Sequence, residues 1–331
     1  MGSLTLKASG WLERLGAGHC GSVWGNLTSP ETDPVPVVIK REDGAPGRSL
    51  RNEFLVQSQI CSTASLEQVL VPSCLDFMES QDPRWHQILP QLPDGSQGCN
   101  AMLAEKIQPV SIRARRTLVE NYCPDELRDQ ILNSKENHHC LVRVYLGRKR
   151  RLNPKQRQTR FFSLRNFPLH INHAEEMALP CESYAKAMAE ALATLHWKVR
   201  TDAADVEFVL ASPRGDPEAN TSALGEHPLW MLDFDCSRPI KADDSGLTAI
   251  AKAFWGNDPY YPRPHSTDGR SQKLWDIFSA EYRRVGLEIV RVYPMGETPE
   301  ILSELVHAAI GRIEETHSHS QSLPISRDFT Q

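Results

Sequence analysis

The sequence predicts an α+β protein of two lobes, a small antiparallel β-rich N-lobe and a mainly helical C-lobe. Three observations carry that expectation. Gly16, Gly18 and Gly21 punctuate a run of alternating residues, Val37-Val38-Ile39-Lys40 reads as a strand ending in a lysine, and the carboxylates Asp202 and Asp233 flank short apolar strand patterns much later in the chain.

With 331 residues, 40% hydrophobic and 24% charged, the chain is long enough for two cores and is not compositionally disordered. Its eight cysteines are scattered with no CxxC pair, so neither a zinc knuckle nor a disulfide framework is indicated, and reduced thiols are expected. Met1-Gly2-Ser3-Leu4 lacks a basic region followed by an apolar run, and Leu6 stands where a myristoylation signal needs Ser or Thr. No apolar stretch is long enough to span a bilayer, so a cytoplasmic location without a membrane partner is expected. A net charge of -5 argues against a wholesale polyanion binder, and DNA is not an expected partner. The distribution is uneven, however. Arg143, Arg148, Lys149, Arg150, Arg151, Lys155, Arg157, Arg160 and Arg165 follow one another with no intervening acid, interleaved with Tyr145, Phe161 and Phe162, and Arg113, Arg115 and Arg116 could extend the stripe. The bland reading is a solvated loop; the aromatics favour a surface that tracks nucleic-acid phosphates.

Each element follows from its local pattern. Residues 11–40 alternate around glycine turns as a small antiparallel sheet, and residues 49–61, with apolar positions at 50, 54, 55 and 60, form a helix that carries Glu53 toward Lys40. Strand signals at Val69-Leu70-Val71 and at 101–107 complete the same sheet, giving an N-lobe over 1–108. The C-lobe spans 109–316. Its clearest helix, Glu182 to His196, is rich in alanine and leucine and ends just before Asp202. A polar insertion at 211–228 precedes the apolar strand Leu229-Trp230-Met231-Leu232, which delivers Asp233. Helices at about 271–290 and 299–315 close the lobe, and 317–331 is expected to be a flexible tail.

Gly16-Ala17-Gly18-His19-Cys20-Gly21-Ser22-Val23 fits GxGxxGxV, a loop whose backbone amides can approach a polyphosphate because glycine has no side chain in the way. Gly16, Gly18, Cys20, Gly21 and Ser22 are therefore the candidate cofactor-binding residues. Lys40, nineteen residues beyond Gly21, can neutralise phosphate or pair with Glu53; the alternative is a solvated surface lysine. Asp202 has Glu207 five residues on, and Asp233-Phe234-Asp235 follows the second strand. In order and spacing these parts resemble a protein-kinase-like fold, with a catalytic loop at 202–207 and a metal-binding turn at 233–235. Departures accompany the matches: no His-Arg-Asp triplet, Glu207 in place of asparagine, Asp235 in place of glycine, and no later Ala-Pro-Glu. His196 reads as a packed or capping histidine. Convergence of Asp202, Asp205, Glu207, Asp233 and Asp235 would crowd negative charge beyond what an ATP site tolerates unless magnesium compensated, and it suits an arginine guanidinium better.

Met102 to Ile107, Arg143 to Arg148, Phe162 to Leu169, Asp205 to Leu210 and Leu232 to Asp235 resemble segments of a fungal kinase-like family, long left as a domain of unknown function and sometimes labelled zinc-finger protein. Characterised members are arginine-containing cyclodipeptide synthases. The resemblance implies an aminoacyltransferase that condenses arginyl-tRNA with a second aminoacyl-tRNA into a diketopiperazine. No cofactor is required, because aminoacyl esters are already activated, and magnesium is compatible; no metal-ligand pattern supports the zinc label. On this reading Asp202, Asp205, Glu207, Asp233, Asp235, Lys40 and Glu53 form the candidate catalytic site. Arg148, Lys149, Arg150, Arg151, Lys155, Arg157 and Arg160 face tRNA, and Cys20 and Ser22 are candidate acyl carriers without a sequence-evident base. The alternatives are an ATP-dependent phosphotransferase acting on small molecules or proteins, and a pseudokinase that only binds.

Overall fold

The structure, a computed structural model, describes residues 7–28, 36–63, 66–150, 162–215, 223–293 and 296–320. Strands β1 (Lys7–Ala17), β2 (Ser22–Thr28), β3 (Pro36–Arg41), β5 (Cys74–Met78) and β6 (Ala101–Glu105) form a five-stranded antiparallel sheet in the order β1-β2-β3-β6-β5. Period-two alternation does the sorting. In β3 it sends Val37 and Ile39 into a core with Leu12, Trp24, Met78, Trp85 and Leu103, and turns Lys40 to the other face. Helix α1 (Leu50–Thr63) packs near that face, with Leu50, Glu53, Gln57 and Ile60 buried along one stripe.

The mixed architecture with this sheet in the N-terminal part and helices after it agrees with the sequence reading. One strand assignment is corrected, and Cys74–Met78, Val142–Tyr145 and Phe167–His170 are strands that the local pattern did not mark. Val69-Leu70 (β4) does not join the N-terminal sheet; it pairs in parallel with Leu229-Trp230 in a second five-stranded sheet of order β4-β10-β9-β7-β8. The other members are β7 (Val142–Tyr145), β8 (Phe167–His170), β9 (Glu207–Leu210) and β10 (Leu229–Leu232). A two-residue apolar strand carries no register information of its own, so its partner is decided by where α1 delivers the chain.

Around this sheet lie helices α2 (Ile112–Tyr122), α3 (Cys181–Thr194), α4 (Asp244–Gly256), α5 (Gly269–Val292) and α6 (Pro299–Ser320). α3 is the alanine-rich segment, buried along nearly its whole length against α5. Its last turn widens at Leu195–Val199 and stops at Arg200, which adopts a left-handed φ of 66°. α6 runs to Ser320, past the expected start of a tail at 317, and 321–331 lies outside the described residues. Among the described residues no helix is long and apolar enough to cross a membrane.

Candidate functional site: an acidic cleft compensated by three internal cations

Lys40, Glu53 and Asp233 meet. The Lys40 ammonium donates to both oxygens of Glu53, at 2.9 and 2.7 Å, and to Asp233 Oδ1 at 2.8 Å across 193 residues of chain. Burial disfavours the charge on Lys40, but Glu53 and then Asp233 outweigh it and raise the lysine's pKa. Burial likewise presses Glu53 toward its neutral acid, against Lys40. Protonating Glu53 would withdraw one of the two oxygens the ammonium already uses, so the pair is ionised, and Glu53, 3% exposed, depends on Lys40 for its charge.

Two loops bring the other carboxylates together. After α3 the chain passes through Arg200, Ala203 and Asp205, all at positive φ, and β10 is followed by Asp233, also at positive φ (68°). Left-handed backbone costs a non-glycine residue on the order of 1–3 kcal/mol, so four such positions on two facing loops mark a geometry imposed by contacts elsewhere. Several of those contacts are visible. Asp202 Oδ1 accepts from the backbone N–H of Ala204 (3.1 Å) and Arg238 (2.9 Å), tying one loop to the segment after the other. Asn257 accepts from the Asp205 N–H at 2.6 Å and donates to the Ala203 carbonyl. Phe234 is fully buried and anchors the 233–236 turn, while Asn52 of α1 donates to the carbonyls of Phe234, Asp235 and Ser237.

The carboxylates are not left to repel one another. Arg48, just ahead of α1, reaches Asp205 at 2.5 Å, Asp235 at 3.0 and 3.2 Å and the Cys236 sulfur at 2.6 Å. Arg143 pairs with Glu207 at 2.7 Å. The expected crowding is therefore relieved by Lys40, Arg48 and Arg143. Asp235 is 1% exposed and Asp205 48% exposed, so the pair has a buried floor and an open side. Burial holds Glu207 up at about 7 against the pull of Arg143, and burial raises Asp202 as well. A carboxyl that titrates near neutrality can exchange a proton with an amine at physiological pH.

The glycine loop has the geometry of a tight approach. A Cβ on Gly21 would lie 1.9 Å from the Arg41 carbonyl oxygen, whereas Gly18 faces open space and its N–H binds the Gly21 carbonyl at 2.8 Å. Gly16 sits in register opposite Val23. Burial pushes the Cys20 thiol up to about 12 and keeps it protonated at neutral pH. Ser22 is buried; its hydroxyl donates to Asp43 (2.9 and 2.7 Å) and accepts from the Trp24 indole (2.7 Å). Both side chains are held in structural roles. His196 is buried 2.7 Å from the Tyr282 hydroxyl, as a packed histidine.

Of the basic stripe, Arg151, Lys155, Arg157 and Arg160 lie outside the described residues. Arg148 pairs with Asp258 at 2.6 Å and Lys149 with Asp268 at 2.9 Å. Sequence reasoning missed Arg48, Asn52 and Asn257, and counted Arg143 only as part of the stripe. Asn52 adjoins Glu53 on α1, which was the one available signal; Arg48 and Asn257 are ordinary surface-type residues until the fold brings them to the cleft.

Residues 229–293 match a family model, DUF3669, described as Zinc finger protein. The match covers 65 of the 331 residues, from β10 through the 233–236 turn to the end of α5. A search of the curated proteins finds no match. Among the described residues the group of three or more metal-ligand side chains is Asp205, Asp235 and Cys236, within 4.8 Å of one another. It does not fit structural zinc, which takes four thiolate or imidazole ligands. Burial and then Asp235 push the Cys236 thiol up to about 11, and the Arg48 guanidinium already supplies the positive charge. Magnesium, which takes oxygen ligands, would compete with Lys40 for Asp233 and with Arg48 for Asp235.

Proposed function

We propose that the chain is a tRNA-dependent cyclodipeptide synthase on a protein-kinase-like bilobal scaffold, joining arginyl-tRNA to a second aminoacyl-tRNA to give an arginine-containing diketopiperazine in the cytoplasm. One observation carries the reading: the buried Asp235 and open Asp205 together grip a guanidinium, that of Arg48, so this acidic floor has the acceptor geometry that an arginyl side chain requires. The zinc-finger description of the matched family is also the label borne by some members of the family that the sequence resembles.

In this account Arg48 withdraws and the substrate guanidinium takes its place at Asp205 and Asp235. Glu207 accepts a proton from the attacking α-amine, which displaces the tRNA 3′-oxygen of the other aminoacyl ester. The second amine then closes the ring. Two ester bonds break, two amide bonds form, and each amine proton ends on a departing 3′-hydroxyl. Positioning and one base suffice, because the esters are already activated.

Incubation with charged total tRNA should yield arginine-containing cyclic dipeptides by mass spectrometry, and none with uncharged tRNA. A second reading, phosphotransferase or pseudokinase, is favoured by one observation: Lys40, in register opposite Val23 just after the glycine loop, bridges Glu53 and Asp233. A rise in melting temperature with ATP and magnesium, without dipeptide product, would move the assignment to that reading.

The base makes a pH prediction. Glu207 must be ionised to accept a proton, so its role is absent below pH 7 and present above it. Because the substrate amine must also be neutral, log rate should climb with a slope of about two on the acid limb, falling to about one in Glu207→Gln. An unchanged slope removes Glu207 from proton transfer. The sign for stability is opposite. A carboxyl whose folded pKa is raised loses stabilisation as pH rises from its unfolded value toward 7.

For tRNA, changing Arg148, Lys149, Arg150 and Arg151 together to Ala should weaken filter binding and flatten its salt dependence by less than four contacts' worth, since Arg148 and Lys149 already hold Asp258 and Asp268. An unchanged slope assigns the stripe to ordinary surface.

A further inference from the structure

Beside the acidic cleft, between the end of β7 and the start of α5, lies a cavity of about 790 Å³ lined in part by Arg148, Lys149, Arg150, His170, Arg263 and Ser271. The volume is that of a site for a nucleotide-sized molecule. Its charge is positive after internal pairing. Arg148 and Arg263 share Asp258, Lys149 holds Asp268 and lies 3.9 Å from Glu175, and Arg270 also approaches Glu175. With Arg150, four cations line the cavity against three carboxylates, Asp258, Asp268 and Glu175. At the Ser271 wall the N-terminus of the 24-residue α5 is already capped by Asp268, which accepts from the Ser271 N–H and hydroxyl, so the positive character of the cavity comes from its side chains.

The walls are built from ordered backbone. The Leu146 and Gly147 N–H groups donate to the carbonyls of Tyr260 and Pro259 at 3.0 and 2.9 Å, and the Ile171 N–H donates to the Arg148 carbonyl. Gly147 permits that approach, since a Cβ there would meet the Tyr261 carbonyl oxygen at 2.6 Å. Burial holds His170 down at about 4, so it presents a neutral imidazole face, with Leu146 and Ile171 as apolar lining. The segment that forms one wall begins at Asn257, which binds the Asp205 backbone. Cavity and cleft therefore share a support.

We infer that this cavity binds a phosphate ester of nucleotide size, and that the natural ligand is one nucleotide of a single-stranded RNA end whose terminus continues into the acidic cleft. Arg150 and Lys149 contact the phosphate, and the imidazole and apolar lining receive the base. The inference deepens the tRNA reading of the proposed function and rests on it for the source of the nucleotide, but not for the pocket's chemistry.

Isothermal titration of the full chain with inorganic phosphate, adenosine monophosphate and a CCA-ended RNA trinucleotide tests it. Saturable one-to-one binding of the nucleotide is expected, with phosphate alone weaker and the trinucleotide at least about ten-fold tighter. The double variant Lys149→Gln, Arg150→Gln should weaken nucleotide binding by about ten-fold or more, the loss of charge-assisted hydrogen bonds. Thr267→Trp, an exposed position on the rim, should abolish it, while Lys252→Gln, exposed on α4, makes a charge change elsewhere and should leave it unchanged. Equal affinity for monophosphate and trinucleotide would overturn the RNA source. No saturable nucleotide binding by the parent, or equal binding by parent and double variant at unchanged melting temperature, would overturn the pocket. Because dipeptide synthesis is not the readout, a protein that binds the nucleotide and makes no dipeptide sinks the proposed function and leaves the pocket standing.

Discussion

Replacing Lys40 with Met should lower folding stability by about 3–5 kcal/mol at neutral pH, the size of effect seen when a buried ion pair loses one partner. The cause is Glu53, 3% exposed, which would keep its carboxylate in the interior with no cation against it. The loss has a pH signature. Without Lys40, burial holds the folded-state pKa of Glu53 above its unfolded value, so stability falls as pH rises through that window and the deficit narrows toward pH 5. Urea denaturation at pH 5 and pH 8 reads both effects. Adding Glu53→Gln to Lys40→Met should recover much of the stability, because the uncompensated charge is gone, and the two substitutions should therefore be strongly non-additive. A loss below about 1 kcal/mol that does not change with pH would class the pair with surface ion pairs and remove its role in joining β3 to α1.

Asp235→Asn should cut arginine-containing product by about ten-fold or more, since each charge-assisted hydrogen bond lost is worth roughly 1.5–3 kcal/mol and about 1.4 kcal/mol is one decade of rate. Asp235 accepts twice from Arg48 and is 1% exposed, so its charge is spent at short range with little screening. Crowding of like charges, as expected from the sequence, would by itself make removal of one carboxylate stabilising. With Arg48 in place the expectation reverses, because Asp235→Asn leaves a guanidinium short of a partner, and a lower melting temperature is expected. Activity is then compared where both proteins are fully folded. Arg48→Met supplies the complement: if the internal guanidinium occupies the substrate's position, its removal should tighten binding of agmatine by about ten-fold, and Asp235→Asn added to it should abolish the gain. Agmatine binding that ignores both substitutions would mean that the Asp205–Asp235 floor holds α1 in place and nothing else.

Part of this site was readable from local pattern. Val37 to Ile39 is a short apolar run ending in a lysine, which marks the strand, and period-two geometry then separates Lys40 from the buried Val37 and Ile39. The apolar spacing of 50–60 predicted the helix that carries Glu53, and the short apolar run before Asp233 predicted the strand that ends there. Other features had no local trace. Ala203, Asp205 and Asp233 adopt positive φ although none is glycine, because Asn257, Asn52 and the buried Phe234 hold the loops from outside. Arg48 is one arginine among many until the chain closes 187 residues to bring it to Asp235.

By itself, then, the sequence determined the types of the elements with a clear local pattern and the positions at which carboxylates leave strands, since those depend on side-chain period and turn chemistry over a few residues. Only the tertiary structure decided which sheet Val69-Leu70 joins, and which cation neutralises which carboxylate. It also decided that the basic residues at 148–150 line a cavity. These outcomes depend on pairings between distant segments, whose energies are settled by burial and by charge at contact distance, and neither exists until the chain has folded.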